Sequence, residues 1–173
     1  MRKLNIKKTL INLIIVIIIF MSDRLSKIYI LKIAELENIV DIYITQNLNF
    51  YLIWNKGIAF GLLSFNESLI YNLITFIIAV ITAIILILII KTENFKRYFL
   101  LLVLGGSLGN LFDRIYYSAV PDFIDFHINN FHWFIFNVAD IFITIGVICL
   151  ICVEIFINNE KNEKSILEKI KNN

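Results

Sequence analysis

Apolar positions in this chain fall into long runs. Thr9–Met21 is almost wholly Ile, Leu and Val, and after Ser22, Asp23 and Arg24 the apolar pattern resumes to about Ile33. A first membrane helix over about Leu10–Leu31 follows, matching the ~20 residues that a bilayer requires. Leu69–Ile90, broken only by Tyr71, Asn72, Thr75 and Thr82, predicts a second span. Tyr98–Tyr116 and Phe134–Ile157 predict a third and a fourth. Glu35–Phe65 has a different rhythm: Ile42 and Ile44, then Leu48, Phe50, Leu52 and Trp54, recur every second residue. That period belongs to strands with one sheltered face, and Asn55-Lys56-Gly57 is a turn signal. Tyr117–Trp133 reads as a loop, and the tail from Asn158 as a polar, frayed helix. The expected fold is therefore an all-α membrane protein, a single domain over 1–173, with four transmembrane helices and a small extracytoplasmic β-sheet between helices one and two.

Composition supports this reading. The chain is 59% hydrophobic with mean hydropathy +0.80, more apolar than soluble domains are. A net charge of +2 gives no sign of a nucleic-acid partner. The first run follows Arg2, Lys3, Lys7 and Lys8 as a signal peptide would, but no small-residue cleavage site follows, so an uncleaved helix is expected. Lys and Arg gather at the N-terminus, in Lys91–Arg97 and in the tail, whereas the 35–65 and 117–133 segments are poor in them. The positive-inside rule then puts both termini in the cytoplasm and those two segments outside. Cys149 and Cys152 lie in an apolar run, where thiols are inert.

With that topology, Asp23, Asn55, Asn110, Arg114, Asp122, Asn137 and Asp140 all reach one face of the membrane, although they are scattered in sequence. Ionisable groups at membrane depth are costly and so mark function. Asp23 and Lys27, four residues apart, share a helix face and read as a surface ion pair at the membrane boundary. Asn110 and Arg114 share a face of helix three, and Asn137 and Asp140 a face of helix four. Gly105-x-x-x-Gly109, widened by Gly106, allows close helix approach. Arg114 offers fixed donors to a carboxylate or a substrate carbonyl, and its own expected partner is Asp113 or Asp23. No serine is paired with a base and the cysteines lie at the wrong depth, which leaves carboxylate chemistry. Two carboxyls close together share a proton, one acting as base on water and the other as acid. Asp122 and Asp140 are the favoured pair, with Asp125 as rival. A zinc site from Asp122, Asp125, His127 and His132 matches no standard spacing, so no metal or other cofactor is expected.

Five blocks in order resemble the prokaryotic lipoprotein signal peptidases. They are Asp23-Arg24-Leu25-Ser26-Lys27, with Arg24 in place of the usual Gln; Asn55-Lys56-Gly57-Ile58-Ala59-Phe60-Gly61; Gly105 to Arg114; Val120 to Ile124; and Phe136-Asn137-Val138-Ala139-Asp140. The resemblance implies a metal-independent aspartic endopeptidase of the bacterial cytoplasmic membrane. It would cleave diacylglyceryl-modified prolipoproteins before the lipid-bearing cysteine. It further implies Asp122 and Asp140 as the catalytic pair, and Asp23, Asn55, Gly57, Asn110, Arg114 and Asn137 as substrate-holding or site-shaping; Lys27 and Asp113 join them as site-shaping candidates. The expected partners are lipidated prolipoproteins and membrane lipids, with the protein a monomer. A small transporter or ion-pathway protein is the alternative, but a relay would thread charges through the bilayer, and helices two and four carry none at mid-length.

Overall fold

The computed structural model describes residues 6–57, 67–129 and 131–171. Ile58 to Gly61 of the second block lie outside the described residues. Among the described residues four helices are long and apolar enough to cross a membrane: α1 (Ile6–Glu37), α2 (Glu67–Lys91), α3 (Lys96–Tyr117) and α4 (Val138–Lys171). In α3 more than half of the most apolar window is buried, 56%, against 11–17% in the other three. α3 is thus the central post, and the others turn Ile, Leu and Phe side chains outward, as a lipid solvent permits.

Glycines set how closely the post is approached. A Cβ on Gly105 would lie 2.7 Å from Ile19, and one on Gly109 would lie 2.5 Å from the Asp23 carboxylate, so both face α1. A Cβ on Gly106 would meet the Ala139 carbonyl of α4 at 2.5 Å. The small-residue motif therefore admits two helices, one on each side. Leu100, Leu101, Val103 and Leu104 of α3 pack with Ile85 and Ile89 of α2 to fill the rest of this core.

The sheet is larger than the sequence suggests. β1 (Asp41–Thr45) and β2 (Leu48–Asn55) form the expected hairpin, and β3 (Val120–Ile128) and β4 (Phe131–Phe136) extend it into one antiparallel sheet of order β1-β2-β3-β4. Tyr117–Trp133 is thus not a loop: β3 pairs with β2 through Leu48↔Phe126 and Trp54↔Pro121. Nor does the fourth span begin at Phe134, because Phe131–Phe136 is strand and α4 starts at Val138. α1 in turn outruns the apolar run that predicts it. Phe123 on β3 packs with Ile30 of α1 and Val40 and meets Phe50 edge-on at 5.7 Å, fixing the sheet against the end of α1.

Candidate active site

Where α3, α4 and β3 meet, Asn137 organises two carboxylates. Its Nδ2 donates to Asp122 Oδ1 at 2.6 Å. Its Oδ1 accepts from the Asp140 backbone N–H, and its own N–H donates to Asp140 Oδ2, both at 3.1 Å. This last pair is a reciprocal capping arrangement with Asp140 at the third helical position, and it satisfies donors that a helix start would leave orphaned. Each carboxylate has a second amide partner. Asn55 Nδ2 donates to Asp122 Oδ2 at 2.9 Å, and Asn110 Nδ2 to Asp140 Oδ1 at 2.8 Å. Asn55 is itself aimed by the turn that follows it, since its Oδ1 accepts from the Gly57 N–H at 2.7 Å. Gly57 has φ of +75°, which disfavours any side chain, and a Cβ there would come within 2.9 Å of the Arg114 guanidinium.

Both carboxylates line one cavity of ≈ 230 Å³ with Asn55, Asn110, Arg114 and Asn137, while Ile78, Ile81, Val120 and Ile143 form its apolar walls. The Asp122 carboxyl is pushed up to about 6. Burial is the main cause and the Asp140 charge adds to it; the hydrogen bonds from Asn55 and Asn137 and the Lys27 charge act against it. Asp122 therefore keeps its proton to a higher pH than an ordinary carboxyl, and the Asp140 charge contributes to that.

Behind the cavity lies a charged cluster that the sequence places at the surface. Asp23, Lys27 and Asp113 are fully buried and Arg24 nearly so. Lys27 Nζ donates to Asp23 at 2.9 Å, to Asp113 at 2.6 Å and to Asn110 Oδ1 at 3.0 Å. Arg24 contacts Asp113 at 2.5 Å and Asp23 at 3.1 Å, so the residue that departs from the family pattern closes a neutral cluster of two acids and two bases. Asp23 also accepts from the Ala139 N–H at 3.0 Å, supporting the first turn of α4. The surface ion pair expected of Asp23 and Lys27 is thus a buried one, because Gly109 lets that face of α1 press against α3.

Arg114 also departs from expectation. Asp113 points into the Lys27 cluster, Asp23 does likewise, and neither pairs with Arg114. Among the described residues Arg114 has no carboxylate partner, and its Nε and Nη1 are buried without a hydrogen bond. Its guanidinium lies 5.6 Å from the Tyr71 ring centre, and Tyr71 donates its hydroxyl to the Arg114 carbonyl at 2.6 Å. Tyr71, Thr82 and Ser107 are the polar neighbours that sequence reasoning passed over; as isolated polar positions in apolar runs, Tyr71 and Thr82 carried the available signal. Asp125, the rival acid, lies on β3 but lines no part of the cavity; its carboxylate faces His132. Asp122 stands apart from the Asp125, His127 and His132 group.

The sequence profile described as signal peptidase (SPase) II matches residues 15–156. The lipoprotein signal peptidase of Pelagibacter ubique (strain HTCC1062) is 58% identical over 95% of this chain and 100% of its own length. That of Anaplasma phagocytophilum (strain HZ) is 40% identical over 86% of this chain and 94% of its own. A solved bacterial membrane enzyme, determined by the in meso method at 2.3 Å resolution, superposes with a TM-score of 0.65 at 30% identity, covering 87% of this chain and 90% of its own. These likenesses run through all four helices and the sheet that together hold the two carboxylates, and the chain belongs to the signal peptidase II family.

Proposed function

We propose that this protein is an aspartic endopeptidase that removes signal peptides from diacylglyceryl-modified prolipoproteins, cleaving before the lipid-modified cysteine, with Asp122 and Asp140 as the catalytic pair. The observation that carries the reading is the double tie of Asn137 to both carboxylates at the rim of an apolar-walled cavity. Two coupled carboxyls in such a place share one proton. The ionised partner takes a proton from water as its oxygen bonds to the scissile carbonyl carbon. The protonated partner gives its proton to the carbonyl oxygen, forming a tetrahedral diol. Collapse of the diol breaks the C–N bond, and the departing nitrogen takes a proton from the pair. Arg114, with two donors unpaired among the described residues, is placed to hold a substrate carbonyl. Asn55, Gly57 and Asn110 shape the site, and the cluster of Asp23, Lys27 and Asp113 holds Asn110 against Asp140.

The apolar walls, Ile78 and Ile81 of α2 and Ile143 of α4, suit a substrate whose acyl chains stay in the bilayer while its peptide enters the cavity. Both termini lie in the cytoplasm on this reading, and the cavity opens on the outer side of the cytoplasmic membrane. The protein acts as a monomer among membrane lipids. A transporter would need charges through the apolar stretches between Glu67 and Lys91 of α2 and between Asp140 and Glu154 of α4, where the sequence has none.

The test is cleavage of a lipidated prolipoprotein by the purified protein beside its Asp122→Asn and Asp140→Asn variants. Each variant is expected to lose ~10²–10⁴-fold in turnover, the contribution of a positioned acid or base. The double variant is expected to be little worse than either single one, since groups acting as a unit are non-additive. Normal cleavage by both single variants would refute the mechanism.

A further inference from the structure

Away from the cavity, the sheet holds a second gathering of ligating groups. Asp125 and His127 are both buried on β3, and His132 on β4 is the cross-strand partner of His127. The three offer one ligand atom each, all within 4.8 Å of one another. His132 Nδ1 lies 2.9 Å from the Asp125 carboxylate, His127 Nδ1 lies 3.6 Å from it, and the two imidazoles stack at 4.8 Å between centres.

Two buried polar atoms in and beside this group have no hydrogen-bond partner among the described residues. His127 is only 9% exposed, and its Nδ1 is buried with no hydrogen-bond partner. Asn49 on β2 is the cross-strand partner of Asp125, so its side chain shares that face of the sheet. Its Oδ1 is likewise buried without a partner. Buried polar atoms are nearly always paired, and exceptions call for an unseen water or ion. An imidazole nitrogen, a carboxylate and an amide oxygen each present a lone pair, and a cation satisfies all of them at once.

We propose that Asp125, His127 and His132 form a non-catalytic site for a divalent first-row metal ion of the zinc class, with Asn49 Oδ1 as a neutral oxygen beside it. Two imidazoles with one carboxylate suit zinc and its neighbours, whereas magnesium and calcium favour all-oxygen sites. Metal–ligand distances of about 2.1 Å place tetrahedral donors about 3.4 Å apart. The widest pair must therefore close by a little over an ångström, and His132, with a side chain 57% exposed, is free to supply that movement. None of these residues lines the cavity. The ion would clamp β3 to β4, the two strands that connect Asp122 to Asn137.

The test is calorimetric titration of zinc chloride into the tag-free, full-length protein in detergent at neutral pH, with magnesium chloride as the contrast. The expected result is one zinc per chain in the micromolar range, with no magnesium binding, and a melting temperature that rises with zinc. Removing an outer-shell partner of a metal commonly costs 10–100-fold in affinity, so removal of a ligand is expected to cost at least about 100-fold in His127→Ala and His132→Ala. The exposed His132 side chain makes the second variant safe for folding, and its melting temperature should no longer respond to zinc. The proposal is overturned if zinc does not bind saturably up to millimolar concentration. It is equally overturned if His132→Ala and Asp125→Asn bind zinc as wild type does, which would leave Asp125 and His132 as an ordinary ion pair.

Discussion

Replacing Asp122 by Asn is expected to change the pH dependence of stability as well as lower turnover. A carboxyl raised from 3.8 to about 6 is favoured in its neutral form by the folded state. Between those values the folded chain binds more protons than the unfolded one, so this group's contribution to stability falls as pH rises. Below about pH 4 the contribution is fully present, and above about pH 6 it is lost. The rise corresponds to about 3 kcal/mol. Asn at this position carries no charge and removes that pH-dependent loss. It also brings a constant penalty. Asn55 and Asn137 both donate to Asp122, on different oxygens, and an Asn there has one acceptor oxygen for two donors. An unsatisfied buried donor costs about 1–3 kcal/mol. Near pH 4 the variant should therefore be less stable than wild type, and by pH 7 it should have regained up to about 3 kcal/mol, reaching parity or better. Unfolding followed in detergent for both proteins at pH 4, 5, 6 and 7 measures this difference directly. A difference that stays flat across the range, or a variant that falls further behind as pH rises, would refute the account of Asp122 as a carboxylate strained by burial.

Arg114→Ala should lower kcat by roughly 10²-fold or more, as loss of a transition-state donor does, with little change in melting temperature because no carboxylate among the described residues is orphaned; normal turnover would show that the guanidinium serves only to pack on Tyr71. Lys27→Met should destabilise by about 3–5 kcal/mol, since it leaves Asp23 and Asp113 buried with only Arg24 between them; an unchanged melting temperature would contradict the cluster. Chelation should leave turnover within about twofold and Asp125→Asn should keep most activity, because the proposed acid–base chemistry of Asp122 and Asp140 needs no metal; activity lost to a chelator and restored by zinc, with the melting temperature unchanged, would shift the chemistry to Asp125 and the histidines. A reporter fused after Asn173 should behave as cytoplasmic, and outward activity of that fusion would invert the proposed orientation.

Burial of side chains decided which parts of the structure could be read in advance. Lipid demands apolar residues over a fixed length, so the four helices declared themselves as runs. Phe131–Phe136 misleads for the same reason: Phe-His-Trp-Phe-Ile-Phe is too uniformly apolar to reveal a period, and it runs straight into the apolar start of α4. The informative signal there was Asn137 followed three residues later by an acid, which is a helix start. In β3 the buried Phe123, Asp125 and His127 alternate as a strand should, but the acids Asp122 and Asp125 disguised the strand as a solvated loop. Helical spacing correctly placed Asp23 and Lys27 on one face. It could not say that the face looks inward, because that depends on Gly109 of α3, far away in sequence. The gathering of Asp122, Asp140, Asn110 and Asn137 at one end was legible from topology. The partners of Arg114 were not, since a guanidinium next to Asp113 in sequence projects to a different side of the helix.

The hydrogen bonds that begin α4 are the same ones that orient the two acids. In most proteins the first turn of a helix opens and closes freely, and nothing downstream depends on it. Here each opening would release Asp140 from Asn137 and Asn137 from Asp122, so fraying and loss of the dyad become one event. The amide protons of Asn137 and Asp140 should then exchange with solvent at a common rate, slower than a helix start normally allows. A ligand that bridges the two carboxylates would slow both amides together. Exchange at the head of one helix would thus report occupancy of the cavity, with no need for a cleavable substrate.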